Sequence, residues 1–291
     1  MLKKRRQSEN YRSRELISAM DEHSLKRKLA QMIAEDVGRG DLTLKYTPQN
    51  TVKAEVKAKQ ECILSGVEEV SLLFEMYGVK YKNLVKDGDS IKKNTILFNI
   101  TGSSHDILLV ERTALNLLSI MSGISTTTSR YVKNAGNVKV AATRKTHPLL
   151  RYFEKKAVEA GGGISHRMGL DDMVLIKDNH LTLFKSIGGA VKSAKCDPYH
   201  KIEVEAATTE MALEASKAGA DVVMLDNMTP AQIVKTIKAL EKDGVRENVV
   251  IEASGGITLE TIREYSKTGV DIISTSALTM APAIDFSMKF I

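Results

Sequence analysis

Charged residues and glycines recur in this 291-residue chain just after short β-branched runs. Val138–Ala142 is followed by Arg144-Lys145, and Val174–Ile176 by Lys177 and then Asp178-Asn179-His180. Ile202–Val204 ends on Glu205, with Glu203 on the same face because strand side chains alternate. Val222–Leu225 leads into Asp226-Asn227, and Val249–Ile251 into Glu252 and Ser254-Gly255-Gly256. Arg144, Lys145, His166, Arg167 and Lys177 are the cations of this set. Around one opening they would bind a polyanion, arginine as a bidentate fork and lysine as a point charge. Glu205 and Asp226 among them suit a divalent metal, ribose hydroxyls or a developing positive centre. Ser254, Gly255 and Gly256, with a helix expected from Thr258, read as a phosphate cradle offering free backbone N–H groups. Gly161-Gly162-Gly163 reads either as a helix stop or as a loop that presents His166 and Arg167.

Such strand-end chemistry needs a parallel sheet. From about residue 107 the β-branched runs alternate with helical stretches near 148–160, 181–194, 208–218, 230–242 and 258–268, behind a helix at 107–122. The segment is short for a complete eight-unit barrel of about 250 residues, so the pattern predicts an incomplete α/β barrel with its catalytic groups at the C-terminal strand ends. The first part reads differently. A helical spacing covers 14–36, with a break near 21–24, and strands are expected at 51–57, 61–64, 79–85 and 96–101. The expected organisation is an N-terminal α/β sandwich over 1–110, the barrel over 111–275, and a tail over 276–291 packing back on the N-terminal domain.

Hydrophobic residues make up 43% and charged residues 27% of the chain, a globular composition. No run approaches the roughly 18 consecutive apolar residues of a membrane helix. The basic start has no apolar run behind it, so the expectation is no secretory signal, no membrane and a cytoplasmic location. Residues 1–28 hold nine Lys/Arg against four Asp/Glu, most of the net charge of +6. That concentration reads as a solvated arm, whereas nucleic-acid binding would want a basic face across a folded module. Cys62 and Cys196 form no zinc pattern and no disulfide framework.

The run TRKTHPLLRYFEKKAVEAGGGISHRMGLDDMVLIKDNH, residues 143–180, resembles the quinolinate phosphoribosyltransferase family. So do EDVGRGDLT (35–43), ERTALNLLSIMSGIST (111–126), IEVE (202–205), GADVVMLDN (219–227) and IEASGGI (251–257), in the family's order. The resemblance implies a sandwich followed by an incomplete barrel, in a homodimer or a hexamer built as a trimer of dimers, with active sites shared between subunits. It implies quinolinate and phosphoribosyl pyrophosphate as substrates and Mg²⁺ as cofactor. Matching positions assign quinolinate to Arg144, His166, Arg167 and Lys177, with Arg112 reaching in from the partner subunit. They assign catalysis on the sugar to Lys145, Glu205 and Asp226, the two carboxylates also holding the metal, and the phosphate to Ser254, Gly255 and Gly256. Thr275 and Ser276 would complete that phosphate site, although Ser274-Thr275-Ser276 lacks the glycine the family often has there. His147 stands where threonine is common, and Ile164-Ser165 where His-Asn is. The alternatives are a phosphoribosyltransferase of the same fold acting on nicotinate or another base, and a nucleic-acid-binding protein carried by the basic arm. Several cations converging on the base favour a diacid.

Overall fold

The structure, a computed structural model, describes residues 20–291; the basic arm and the first part of the helix expected from residue 14 lie outside them. The chain divides into two compact units. One holds 130–147 and 163–277; the other holds 20–129, 148–162 and 278–291. The boundary expected at 110 falls inside a helix, α3 (Ser104–Ala135), that runs unbroken because nothing between 107 and 135 stops it except a tolerated Gly123.

The unit that starts at residue 20 opens with α1 (Glu22–Val37). Asp21 caps it by accepting from the Ser24 N–H at 2.8 Å, and Leu25, Leu29 and Ile33 form its buried stripe. Next come β1 (Thr51–Ala58), β2 (Cys62–Ile63), α2 (Val67–Met76), β3 (Lys80–Asn83), β4 (Ser90–Ile91) and β5 (Ile96–Ser103). β1 buries Ala54, Val56 and Ala58 on one face, as its alternation requires. The sheet order is β12-β1-β5-β3, with β12 (Phe286–Phe290) antiparallel to β1, Ala54 opposite Phe290. The C-terminal tail is thus an edge strand of this sheet. Phe74 of α2 meets Phe98 of β5 edge-on, with ring centroids 5.5 Å apart. The helix α4 (Arg151–Ala160) also belongs here; a Cβ on Gly161 at its end would lie 2.5 Å from the Ser125 carbonyl oxygen, so that glycine serves close helix packing rather than flexibility. By length and composition α3 could cross a membrane, but 61% of its most apolar window is buried within the protein, the pattern of a core helix.

The other unit is a parallel sheet of six strands: β6 (Lys139–Ala141), β7 (Val174–Ile176), β8 (Ile202–Ala206), β9 (Val222–Asp226), β10 (Val250–Ser254) and β11 (Ile272–Ser274). Their order, β6-β11-β10-β9-β8-β7, brings the last strand back beside the first. The segment at Ile164 joins the far side of β6 by a parallel bridge to Ala141, its N–H donating to the Val140 carbonyl at 2.8 Å. No strand pairing links that segment to β7 among the described residues, so the ring is an incomplete α/β barrel. The expected helix 181–194 is two pieces, α5 (Asp178–Leu181) and α6 (Ile187–Ala194), because Ser186 caps a fresh start. α7 (Thr209–Ala218) and α8 (Pro230–Lys242) follow β8 and β9, each with a threonine N-cap. After β10 the helix is only α9 (Ile262–Tyr265).

Candidate active site

The groups expected at strand ends do stand at the C-terminal ends of the barrel strands. Arg144 and Lys145 follow β6, Lys177 follows β7, Glu205 lies near the end of β8, Asp226 ends β9 and Ser254 ends β10. Parallel pairing sets Ser254 beside Asp226 on one side and Ser274 on the other. The Lys177 ammonium donates to Glu205 Oε2 at 2.9 Å, so one quinolinate candidate and one metal candidate form an ion pair. Asp226 Oδ2 accepts from Asn227 Nδ2 at 2.7 Å. Asn227 is held with φ of 54°, and its backbone N–H donates to the Ser254 carbonyl at 2.9 Å. Lys145 is exposed; its backbone N–H donates to Thr143 Oγ1 at 3.1 Å.

Gly255 and Gly256 both have positive φ, at 95° and 62°. The cradle is therefore a glycine turn packed on Asn227. It is not the N-terminus of a long helix, as expected from the sequence. Thr258 N–H is taken by Thr261 Oγ1 at 3.0 Å, which closes a turn and delays the helix to Ile262. Ser274 Oγ donates to Ser254 Oγ at 2.9 Å. Thr275 is buried with its hydroxyl donating to the Ile257 carbonyl at 2.9 Å, which directs it to the backbone of the glycine turn; Ser276 opens a 3-10 turn beside it.

His166 and Arg167 follow the Ile164 segment. His166 adopts φ of 54°, a left-handed conformation uncommon for a residue other than glycine. Its ring is buried. Nδ1 accepts from the Arg167 backbone N–H at 2.8 Å, and Nε2 lies 3.3 Å from Glu203 Oε2 and 3.4 Å from Glu252 Oε2. Burial opposes charging this ring, but the Glu252 and Glu203 carboxylates outweigh it and raise its pKa to about 10. The second proton would have to land on Nδ1, where the Arg167 N–H points. Burial and the neighbouring Glu252 raise the pKa of Glu203. Arg167 is itself buried, donates through Nη1 to the Met173 carbonyl at 3.0 Å, and has its pKa lowered by burial and by Arg144. Arg144 Nε is buried without a hydrogen-bond partner. Two guanidiniums held close enough to perturb each other, one with an unsatisfied buried donor, make a site ready for an anion. Glu203, Asn227 and Glu252 stand at or near the strand ends as the sequence pattern places them, but the sequence assigns them no role. Arg112 is exposed on α3 and lies outside the unit that carries the strand-end groups.

Residues 124–289 match the C-terminal domain of quinolinate phosphoribosyl transferase, and residues 41–122 its N-terminal domain. The chain belongs to the quinolinate phosphoribosyl transferase family. It is 41% identical over 255 residues to the probable nicotinate-nucleotide pyrophosphorylase (carboxylating) of Archaeoglobus fulgidus, spanning 86% of this chain and 98% of that protein. Identity to the enzyme of the same description from Methanocaldococcus jannaschii is 42% over 274 residues, 90% of this chain and 96% of the relative. Among solved structures, the nicotinate-nucleotide pyrophosphorylase of Francisella tularensis superposes with a TM-score of 0.89 at 32% identity, covering 95% of this chain and 99% of that one. The barrel that the strand rhythm predicts, preceded by a separate N-terminal fold, is the architecture of this family's solved members.

Proposed function

We propose that this chain transfers the phosphoribosyl group of phosphoribosyl pyrophosphate to the ring nitrogen of quinolinate. The products are nicotinate mononucleotide, pyrophosphate and CO₂, a step of NAD biosynthesis. The observation that carries the reading is the Arg144–Arg167 pair at the strand ends, beside a carboxylate pair and a glycine turn. Quinolinate is a dianion, and two guanidiniums suit its two carboxylates. Lys177 exchanges its partner Glu205 for substrate without leaving the site. Glu205 and Asp226, on neighbouring strands, face a ribose that becomes cationic as pyrophosphate departs, and their charge favours that state, as in glycoside hydrolysis. Lys145 balances the leaving group. Once ribose is attached, the cationic pyridine nitrogen withdraws electrons from the adjacent C–CO₂ bond. CO₂ leaves, the electron pair stays on the ring carbon, and that carbon takes up a proton.

The donor set also fits Mg²⁺. That ion is usually held by one or two carboxylates together with substrate phosphates. Glu205 and Asp226 supply two, each with one oxygen already oriented by Lys177 or Asn227. They would hold Mg²⁺, which when bound neutralises pyrophosphate charge. The reading includes a cytoplasmic homodimer in which Arg112 serves the partner's site; its exposure on α3 supports this. Incubation with quinolinate, phosphoribosyl pyrophosphate and Mg²⁺ should release CO₂ and nicotinate mononucleotide in equal amounts. Turnover of nicotinate but not quinolinate would replace this reading by the monoacid one.

A further inference from the structure

The barrel interior holds a cluster that the reaction as derived above leaves unused. Glu203 of β8 and Glu252 of β10 are fully buried, and their oxygens find no hydrogen-bond partner among the described residues, only the ion-pair contacts to His166. Burying two carboxylates costs several kcal/mol each after relaxation. Apolar side chains would pack there at lower cost, so packing alone does not account for them. Both point at one atom, His166 Nε2. The ring's other nitrogen accepts the Arg167 backbone N–H. Nε2 thus faces the two carboxylates at ion-pair distance without a formed hydrogen bond, while Nδ1 is taken by the Arg167 N–H. The backbone at His166 is meanwhile in the left-handed region, a conformation with a strain cost that the surrounding contacts offset.

We propose that Glu203 and Glu252 are positioning residues for quinolinate: through His166 they lock the His166–Arg167 turn, and so fix the Arg167 guanidinium beside Arg144. In this arrangement the two carboxylates act on the site through His166 and Arg167. The proposal rests on the quinolinate reading of the site. A transition metal is the competing occupant, since the three donor groups all lie within 4.8 Å of one another. The ring orientation opposes it. A metal-binding Nε2 would require the ring proton on Nδ1, where Arg167 N–H already donates.

The test begins with the wild-type protein. If it does not form nicotinate mononucleotide from quinolinate, the functional reading fails by itself, whereas the lock is still read by hydrogen exchange. Amides of residues 163–168 should exchange as slowly as those of β8 and β10; exchange within seconds would overturn the lock. Metal analysis after dialysis should give no stoichiometric transition metal. One ion per chain that His166→Asn removes would overturn the proposal in favour of a metal site. Glu252→Gln and Glu203→Gln keep shape and remove charge. In the folded variants the quinolinate KM should rise at least about tenfold, the loss expected when a charged contact is misplaced. kcat and the phosphoribosyl pyrophosphate KM should change by less than about threefold on the same scale. A purely structural role would lower Tm and leave the quinolinate KM of the folded fraction unchanged, and that result refutes the proposal. Where neither variant folds, the wild-type exchange pattern decides.

Discussion

Replacing Gly255 by alanine tests whether the glycine turn and the Asp226 carboxylate are one mechanical unit. The added Cβ would lie 2.2 Å from Asn227 Oδ1, 2.6 Å from its Cγ and 2.9 Å from its backbone nitrogen. Rotating the Asn227 side chain relieves the first two contacts but not the third, so the backbone must shift. Gly255 also sits at φ of 95°, outside the comfortable range of an L-residue, at a cost of roughly 1–3 kcal/mol. Any shift of Asn227 releases its 2.7 Å contact to Asp226. Losing a hydrogen bond to a charged group costs about 1.5–3 kcal/mol, or about ten- to a hundredfold. The expected result is a rise of that size in the phosphoribosyl pyrophosphate KM, measured at saturating quinolinate, with a lowered Tm. Gly256→Ala is the control. Its φ of 62° is left-handed but nothing lies within 4 Å of the added atom, so only backbone strain of about 1–2 kcal/mol applies. Equal effects of the two substitutions, or a phosphoribosyl pyrophosphate KM unchanged by Gly255→Ala, would refute the coupling.

Arg144→Ala should weaken quinolinate binding at least about tenfold in calorimetry while sparing phosphoribosyl pyrophosphate; an unchanged quinolinate Kd removes Arg144 from the site. Arg112→Ala and Lys177→Ala, each inactive alone, should regain activity when subunits are exchanged, since one site of the mixed dimer then carries both defects and the other neither; exchange without recovery means that Arg112 does not act in trans. Burial pushes the Asp87 carboxyl from 3.8 up to about 6, against the Val67 N–H that it accepts, with Glu69 adding to the rise. The native state therefore holds that proton more tightly than the unfolded chain, and the stability this gives is full below 3.8 and lost as pH rises through about 6. Asp87→Asn should raise Tm relative to wild type more at about pH 7 than at about pH 4, and a pH-independent difference would contradict the assignment. Burial pushes the Cys62 thiol up to about 11, whereas Cys196 is exposed, so a thiol reagent should label one cysteine per native chain and two after unfolding.

The barrel strands were legible because each is a β-branched run ending in a charge or a glycine, and Val222–Asp226 and Val250–Ser254 fall where that pattern ends. The helices were less so. Thr258 to Thr261 looks like a helix start, yet the Thr261 hydroxyl takes the Thr258 N–H and makes a turn, an option that serine and threonine always offer the backbone. Ser186 divides one apolar periodicity into two helices for a related reason: its hydroxyl accepts from the Gly189 N–H at 3.0 Å. The charged groups of the site were readable by type and position, but Asn227 was not. A single asparagine after a strand has no periodicity, and its role comes from a left-handed backbone that places its amide on Asp226. Glu252 and His166 are far apart in sequence, and nothing local says that they meet. Their contact follows from register and from the return of the Ile164 segment to β6.

The pattern Glu203-Val204-Glu205 encodes two kinds of carboxylate on one face, one step apart along the strand. Glu205, nearer the strand end, is part-exposed and paired with Lys177, so it can change partners when substrate arrives. Glu203, one step deeper, is fully buried with Glu252 and His166. The cationic groups above need both. Arg144 and Arg167 repel each other, and burial weakens Arg167 further as a charged group, while Glu203 acts in the opposite sense. A counter-charge at the opening would compete with the dianion for the arginines. A sealed one offsets their repulsion in the empty site and stays in place in the loaded one. The deeper Glu203 carboxylate thus helps two guanidiniums stand together before the substrate is there to separate their charges.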